Sequence, residues 1–300
     1  MNQSDTLDKP SFGAVFFRAL ALGALAAALT APFISYPLSL AGFRFPFSRV
    51  FDRAAMVTIG GALIWYAPDL RLGELLRQGF AEPRTNLQSL LRGFAAGITA
   101  MLILFGLALL GTHQEPSLLA LILRALRFLP AALLIAVIEE AFFRAIVLGG
   151  LLRQWSRRDA LVASSLIYSV AHLVRGPKHF FQAGFHPLAG FSNLLASLSR
   201  IVMPGELLAM ALGLFLLGLV LGRAYLLTGR VYFAIGLHAA LVVGAKCWPV
   251  VLGPAIAPRW IAGAGPVPLI AAPAGWVMAL MLFVLAGRWL DHPAVEAMAG

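Results

Sequence analysis

Long stretches of the chain run without a single charged side chain. Ala19 to Phe43, Gly93 to Gln114, Leu207 to Gly222 and Trp260 to Gly287 contain no Lys, Arg, Asp or Glu. A helix needs about 20 apolar residues to cross the ~30 Å hydrocarbon core of a bilayer, and these stretches reach that length, except Leu207 to Gly222, which falls a few residues short. The two-residue alternation of a membrane β-barrel is absent. The pattern therefore predicts an all-α, polytopic integral membrane protein with about eight transmembrane helices. They fall roughly at 12–35, 50–67, 91–111, 118–150, 159–174, 206–227, 231–250 and 267–290, within a single membrane domain over residues 1–300. The second and fifth spans are short and need tilt or polar caps. The fourth is long and begins with Arg124 and Arg127, so it is expected to start along the interface and bend near Pro130.

Composition narrows the class further. With 60% apolar and 12% charged residues, the chain is far from a soluble globule. The formal net charge of +10 would suit a nucleic-acid partner, but the bases are scattered between apolar segments and form no solvated cluster. They read as anchors beside a lipid bilayer, and no nucleic acid is expected. The single cysteine, Cys247, excludes an internal disulfide and a four-thiolate zinc site. The start MNQSDTLDK, with two aspartates and one lysine before a long apolar run, predicts a retained first helix rather than a cleaved signal.

Two connections stand out. Residues 68–90 read as a solvated amphipathic loop, and residues 175–205, rich in aromatics, glycine and proline, read as a segment lying in the interface that gates access. The Arg153, Arg157, Arg158 cluster after the fourth span favours cytoplasmic termini, and the expected location is a bacterial inner (plasma) membrane.

Ionisable groups at membrane depth cost at least ~2.5–3.5 kcal/mol each at a helix centre, so each one there asks for a reason. Between Phe128 and Leu152 the only charges are Glu139, Glu140 and Arg144, all within EEAFFR. Positions four apart share a helix face, whereas neighbours diverge by about 100°. Glu140 is therefore expected to pair with Arg144, which leaves Glu139 directed elsewhere. Two histidines lie in later spans, His172 in YSVAH and His238 in GLHAAL.

One carboxylate and two imidazoles leave two chemistries open. In the first, Glu139 and His172 share a water, Glu139 removes its proton, and His238 donates to the oxyanion of a peptide carbonyl. In the second, zinc held by Glu139, His172 and His238 acidifies a bound water. The helical HExxH spacing of many zinc proteases is absent, as are GxSxG and any Gly-rich phosphate loop, so the residues carry no direct metal signature and both chemistries stay open.

The order EEAFFR, YSVAH, TGRVYFAIGLHAAL resembles the three motifs of the CPBP (ABI) intramembrane proteases, relatives of the type II CAAX prenyl endopeptidases. The likeness covers about residues 118–250, the expected catalytic core. It implies Glu139 as the water-activating base with His172, Glu140 and Arg144 as structural support, and His238 as the oxyanion donor. It also implies the metal-free chemistry, so that no cofactor is expected, with zinc on Glu139, His172 and His238 as the alternative. Tyr168 stands where the family more usually has phenylalanine, one turn before His172, and adds a hydroxyl. Val242 stands where the family often has asparagine, which removes a second side-chain donor; Tyr168, Asn193, Lys246 or a backbone N–H are the candidate replacements. The expected activity is an intramembrane endopeptidase acting on a peptide or membrane-protein substrate. The rival is a non-catalytic scaffold, or a proton-coupled transporter using the buried Glu and His. Oligomeric state is not legible in the chain.

Overall fold

The computed structural model describes residues 11–112, 115–174, 184–199, 206–253, 258–263 and 268–290. Their regular structure is helical, joined by short turns, with no strand among the described residues. Much of the expected gate, 175–183 and 200–205, lies outside the described residues, as do His113, His179 and His292. The chain divides into two compact units, one built from residues up to Gly73 together with His172–Met203, the other from Glu74–Ala171 and the chain beyond Pro204.

The first unit holds α1 (Phe12–Leu40), α2 (Phe47–Trp65), α3 (Ala67–Leu70) and α9 (Ala189–Ser199). Ser11 caps α1 by accepting a hydrogen bond from the Ala14 N–H, satisfying one of the orphan donors of the first turn. Small residues let the helices approach: Ala27, Ala28, Ala31, Ala54 and Ala189 pack around Phe47 and Phe51. At one crossing the Thr58 hydroxyl donates to the Gly23 carbonyl at 2.7 Å.

The second unit holds α5 (Pro83–Thr112), α6 (Leu118–Glu140) running into a π-helical stretch (Ala141–Leu148) and the short α7 (Gly149–Leu151). It also holds α10 (Glu206–Thr228), α11 (Tyr232–Leu252), the one-turn α12 (Arg259–Ala262) and α13 (Pro273–Leu290). Two helices straddle the division between the units, α4 (Leu72–Gly79) and α8 (Arg157–Leu173). Ser117 caps α6, and Gly229 and Gly253, both at positive φ, close α10 and α11.

Glycine decides how α5 and α11 meet. A Cβ added at Gly236 would stand 2.0 Å from the Leu90 carbonyl oxygen, and one at Gly93 would stand 2.1 Å from that of Phe233. In a bilayer, where lipid tails are as apolar as leucine, such backbone approach is what drives helices together. Gly236→Ala should therefore push α11 off α5 and cost about 1–3 kcal/mol. The check is melting temperature in detergent, with Gly106→Ala as a control, since nothing lies within 4 Å of a Cβ there.

Five helical stretches are long and apolar enough to cross a membrane: Phe12–Leu40, Asn86–Thr112, Leu118–Leu151, Leu207–Thr228 and Tyr232–Leu252. With large apolar side chains such as Leu102, Leu110, Leu134 and Ile138 exposed along them, the chain is an integral membrane protein. The other three expected spans fall short of this measure. α2 carries Arg49, Asp52 and Arg53 in its first turns, α8 begins Arg157, Arg158, Asp159, and the apolar stretch Pro273–Arg288 is shorter. The count of eight is not confirmed.

Candidate active site

Glu139 and Glu140 are the last two residues of α6, and the backbone beyond them widens into the π-helical stretch. The Gly149 N–H donates to the Arg144 carbonyl, five residues back. Such stretches are rare and recur at functional sites, where a widened turn re-aims side chains. Bulky neighbours pack the widened segment: Phe143 meets Phe142 and Tyr168 edge-on, with ring centroids 4.9 Å apart in both pairs.

Glu140 and Arg144 are fully buried and form an ion pair, Oε2 to Nε at 3.0 Å, without hydrogen-bond alignment. The Arg144 guanidinium lies over the Tyr168 ring at 5.0 Å. Its two terminal nitrogens are buried with no hydrogen-bond acceptor among the described residues. Tyr168 thus gives this cation an aromatic floor, which disperses charge that lipid cannot solvate.

The other Glu140 oxygen reaches across to α11. His238, only 4% exposed, sets Nδ1 at 2.8 Å from Glu140 Oε1 and Nε2 at 3.8 Å from Glu139 Oε2. Because a carboxylate paired with arginine can only accept, we assign the Nδ1 proton to this bond. Nε2 then faces Glu139, with a lone pair when the ring is neutral and a proton when it is cationic. Four ionisable groups from two helices form one chain: Arg144, Glu140, His238, Glu139.

The contact between Glu140 and His238 is absent from the sequence reading, which gave Glu140 only Arg144. The partners stand 98 residues apart, and no local spacing reveals them. His172 is the next-to-last residue of α8 and is half-buried. It falls in the first compact unit, whereas Glu139, Glu140, Arg144, Tyr168 and His238 fall in the second.

The candidate replacements for the missing asparagine differ in setting. Val242 packs half-buried beside Ala132, Val243 and Cys247, an apolar lining between α6 and α11. Asn193 is buried on α9 in the first unit, its amide atoms without a hydrogen-bond partner among the described residues. Lys246 is exposed and lies against Phe128, two turns beyond His238. Among the described residues no group of three His, Cys, Asp or Glu side chains is placed to hold one metal ion. The donors in hand are Glu139 and His238, since the second oxygen of Glu140 is taken by Arg144. No step through a metal is derived from this set.

Residues 119–243 match the family model described as type II CAAX prenyl endopeptidase Rce1-like. That region, which is similar to this family, holds all five residues of the cluster. This is the family that the three motifs resemble. No curated protein and no solved structure matches the chain.

Proposed function

We propose that the protein is an intramembrane endopeptidase in which Glu139 activates a water and His238 stabilises the oxyanion. The observation that carries this reading is the approach of Glu139 Oε2 to His238 Nε2, 3.8 Å, with Glu140 and Arg144 fixing the imidazole from behind. Water attacks the scissile carbonyl carbon and gives a proton to Glu139. The carbonyl π electrons move to oxygen, and the resulting oxyanion accepts a hydrogen bond from Nε2–H of the His238 imidazolium. Glu140 stabilises that imidazolium through Nδ1–H. Collapse of the intermediate breaks the C–N bond, and the proton on Glu139 passes to the departing amine nitrogen. His172 is proposed to help hold the water, on the strength of its motif alone.

The substrate is a peptide segment delivered at or within the bilayer. Its sequence and modification are not specified by these residues. Val242 removes one side-chain donor, a change worth ~2.7–4 kcal/mol of transition-state stabilisation in other acyl-transfer sites. Slow turnover is the expected consequence.

The test is mass-spectrometric detection of products from a peptide library incubated with purified full-length protein, with and without a metal chelator. Cleavage that survives chelation is expected. Stoichiometric zinc lost in parallel with activity would overturn the metal-free chemistry. Absence of any cleavage, together with proton-coupled uptake in proteoliposomes abolished by Glu139→Gln, would overturn the protease reading itself.

A further inference from the structure

Three cations gather about one aromatic ring away from the candidate active site. Phe128 on α6 has the Arg124 guanidinium at 5.5 Å from its centroid, that of Arg127 at 5.8 Å and the Lys246 ammonium of α11 at 5.7 Å. No two of these charges can be more than about 12 Å apart, a distance comparable with the roughly 8 Å screening length of physiological salt and shielded less beside apolar surface. The arrangement is built, because Arg124 Nε–H donates to the Lys246 carbonyl oxygen and so ties the two helices at this level. None of the three pairs with a carboxylate among the described residues.

The surroundings define what can neutralise them. Arg127 and Lys246 are exposed, and α6 beside them presents Leu119, Leu123 and Leu126, each more than half exposed. A surface of exposed leucines in a membrane protein faces acyl chains. The continuous helix Leu118–Leu151 has 34 residues, roughly 51 Å of length, against ~30 Å of hydrocarbon core, so it extends beyond that core. Arg124 and Arg127 lie in its second and third turns, and Lys246 lies two turns from the end of α11. This is the level at which a lipid phosphate meets protein.

We propose that Arg124, Arg127 and Lys246 form a binding site for the phosphate of an anionic membrane phospholipid, whose acyl chains lie along the exposed leucines of α6. Basic pockets between membrane helices suit such head groups. Occupancy clamps α6 to α11, the helices that carry Glu139, Glu140 and His238. The site does not depend on the protein being a protease.

The experiment measures melting temperature of the full-length protein in detergent against added phosphatidylglycerol, phosphatidylcholine or inorganic phosphate, with native mass spectrometry of bound lipid. Phosphatidylglycerol alone is expected to raise the melting temperature. Arg127→Gln with Lys246→Gln, both exposed side chains, should weaken its apparent affinity by about 30-fold and remove one retained lipid, since each base near the surface contributes about 1 kcal/mol. Lys246→Gln alone, the milder change, should lose part of the effect, and Arg157→Gln with Arg158→Gln should lose none. An equal response to inorganic phosphate would overturn the lipid as ligand, and an undiminished phosphatidylglycerol response in both Lys246 variants would overturn the site. A changed peptide KM with unchanged lipid binding would overturn it too, assigning the cluster to substrate instead.

Discussion

Glu140→Gln is expected to cost about 3–5 kcal/mol of stability, the largest folding effect of any single change in the cluster. The substitution preserves shape and leaves an acceptor for His238 Nδ1–H, but it strips the anion from Arg144, whose side chain has no exposure at all. Among the described residues that cation also meets the Tyr168 ring, which is too weak to replace a carboxylate. Arg144→Met should cost a similar amount for the converse reason, leaving Glu140 buried without its cation. Combining Glu140→Gln with Arg144→Met removes both charges together, so the pair should be milder than the sum of the singles. Melting temperatures of the three variants in one detergent check this; additive losses would show that the two groups do not act as a pair.

How much of this was legible beforehand depends on the distance over which each feature is encoded. Charge-free stretches mark α1, α5 and α10, and strong apolar bias marks α6 and α11 despite their few charges, because a bilayer admits few ionised groups, and that constraint is written residue by residue. It marks α2 and α8 poorly, since their opening turns carry Arg49, Asp52, Arg53, Arg157, Arg158 and Asp159. The Glu140–Arg144 pair follows from spacing, because four residues close one turn. The π-helical widening after Glu140 does not, since hydropathy carries no signal that separates a π turn from an α turn in a uniformly apolar segment. The bond from Glu140 to His238 depends on how α6 packs against α11, and no local pattern reports that. The close approach of α5 to α11 is intermediate: Gly93, Gly97 and Gly236 are visible as small residues, but which backbone each one faces is a property of the fold. The scarcity of ionisable groups at membrane depth, together with the three motifs, suggested that His238 belongs with Glu139; neither pointed to its bond with Glu140.

Glu139 is set apart from its neighbour by direction and by burial. Its side chain is 26% exposed where that of Glu140 has none, and Nε2 of His238 faces it across 3.8 Å. Glu139→Gln keeps the shape and removes the base, so stability should change little while cleavage falls by about 10²–10⁴-fold, the range that a positioned general base contributes. The contrast with Glu140→Gln separates the two adjacent carboxylates: one variant folds and does not cleave, the other loses stability first and activity with it. The most direct measurement is therefore the single-turnover rate of peptide cleavage per folded molecule, for the unchanged protein and for Glu139→Gln in the same detergent. A drop of at least about 100-fold at an unaltered melting temperature is predicted; cleavage by Glu139→Gln at a rate near that of the unchanged protein would contradict the assignment of Glu139 as the base.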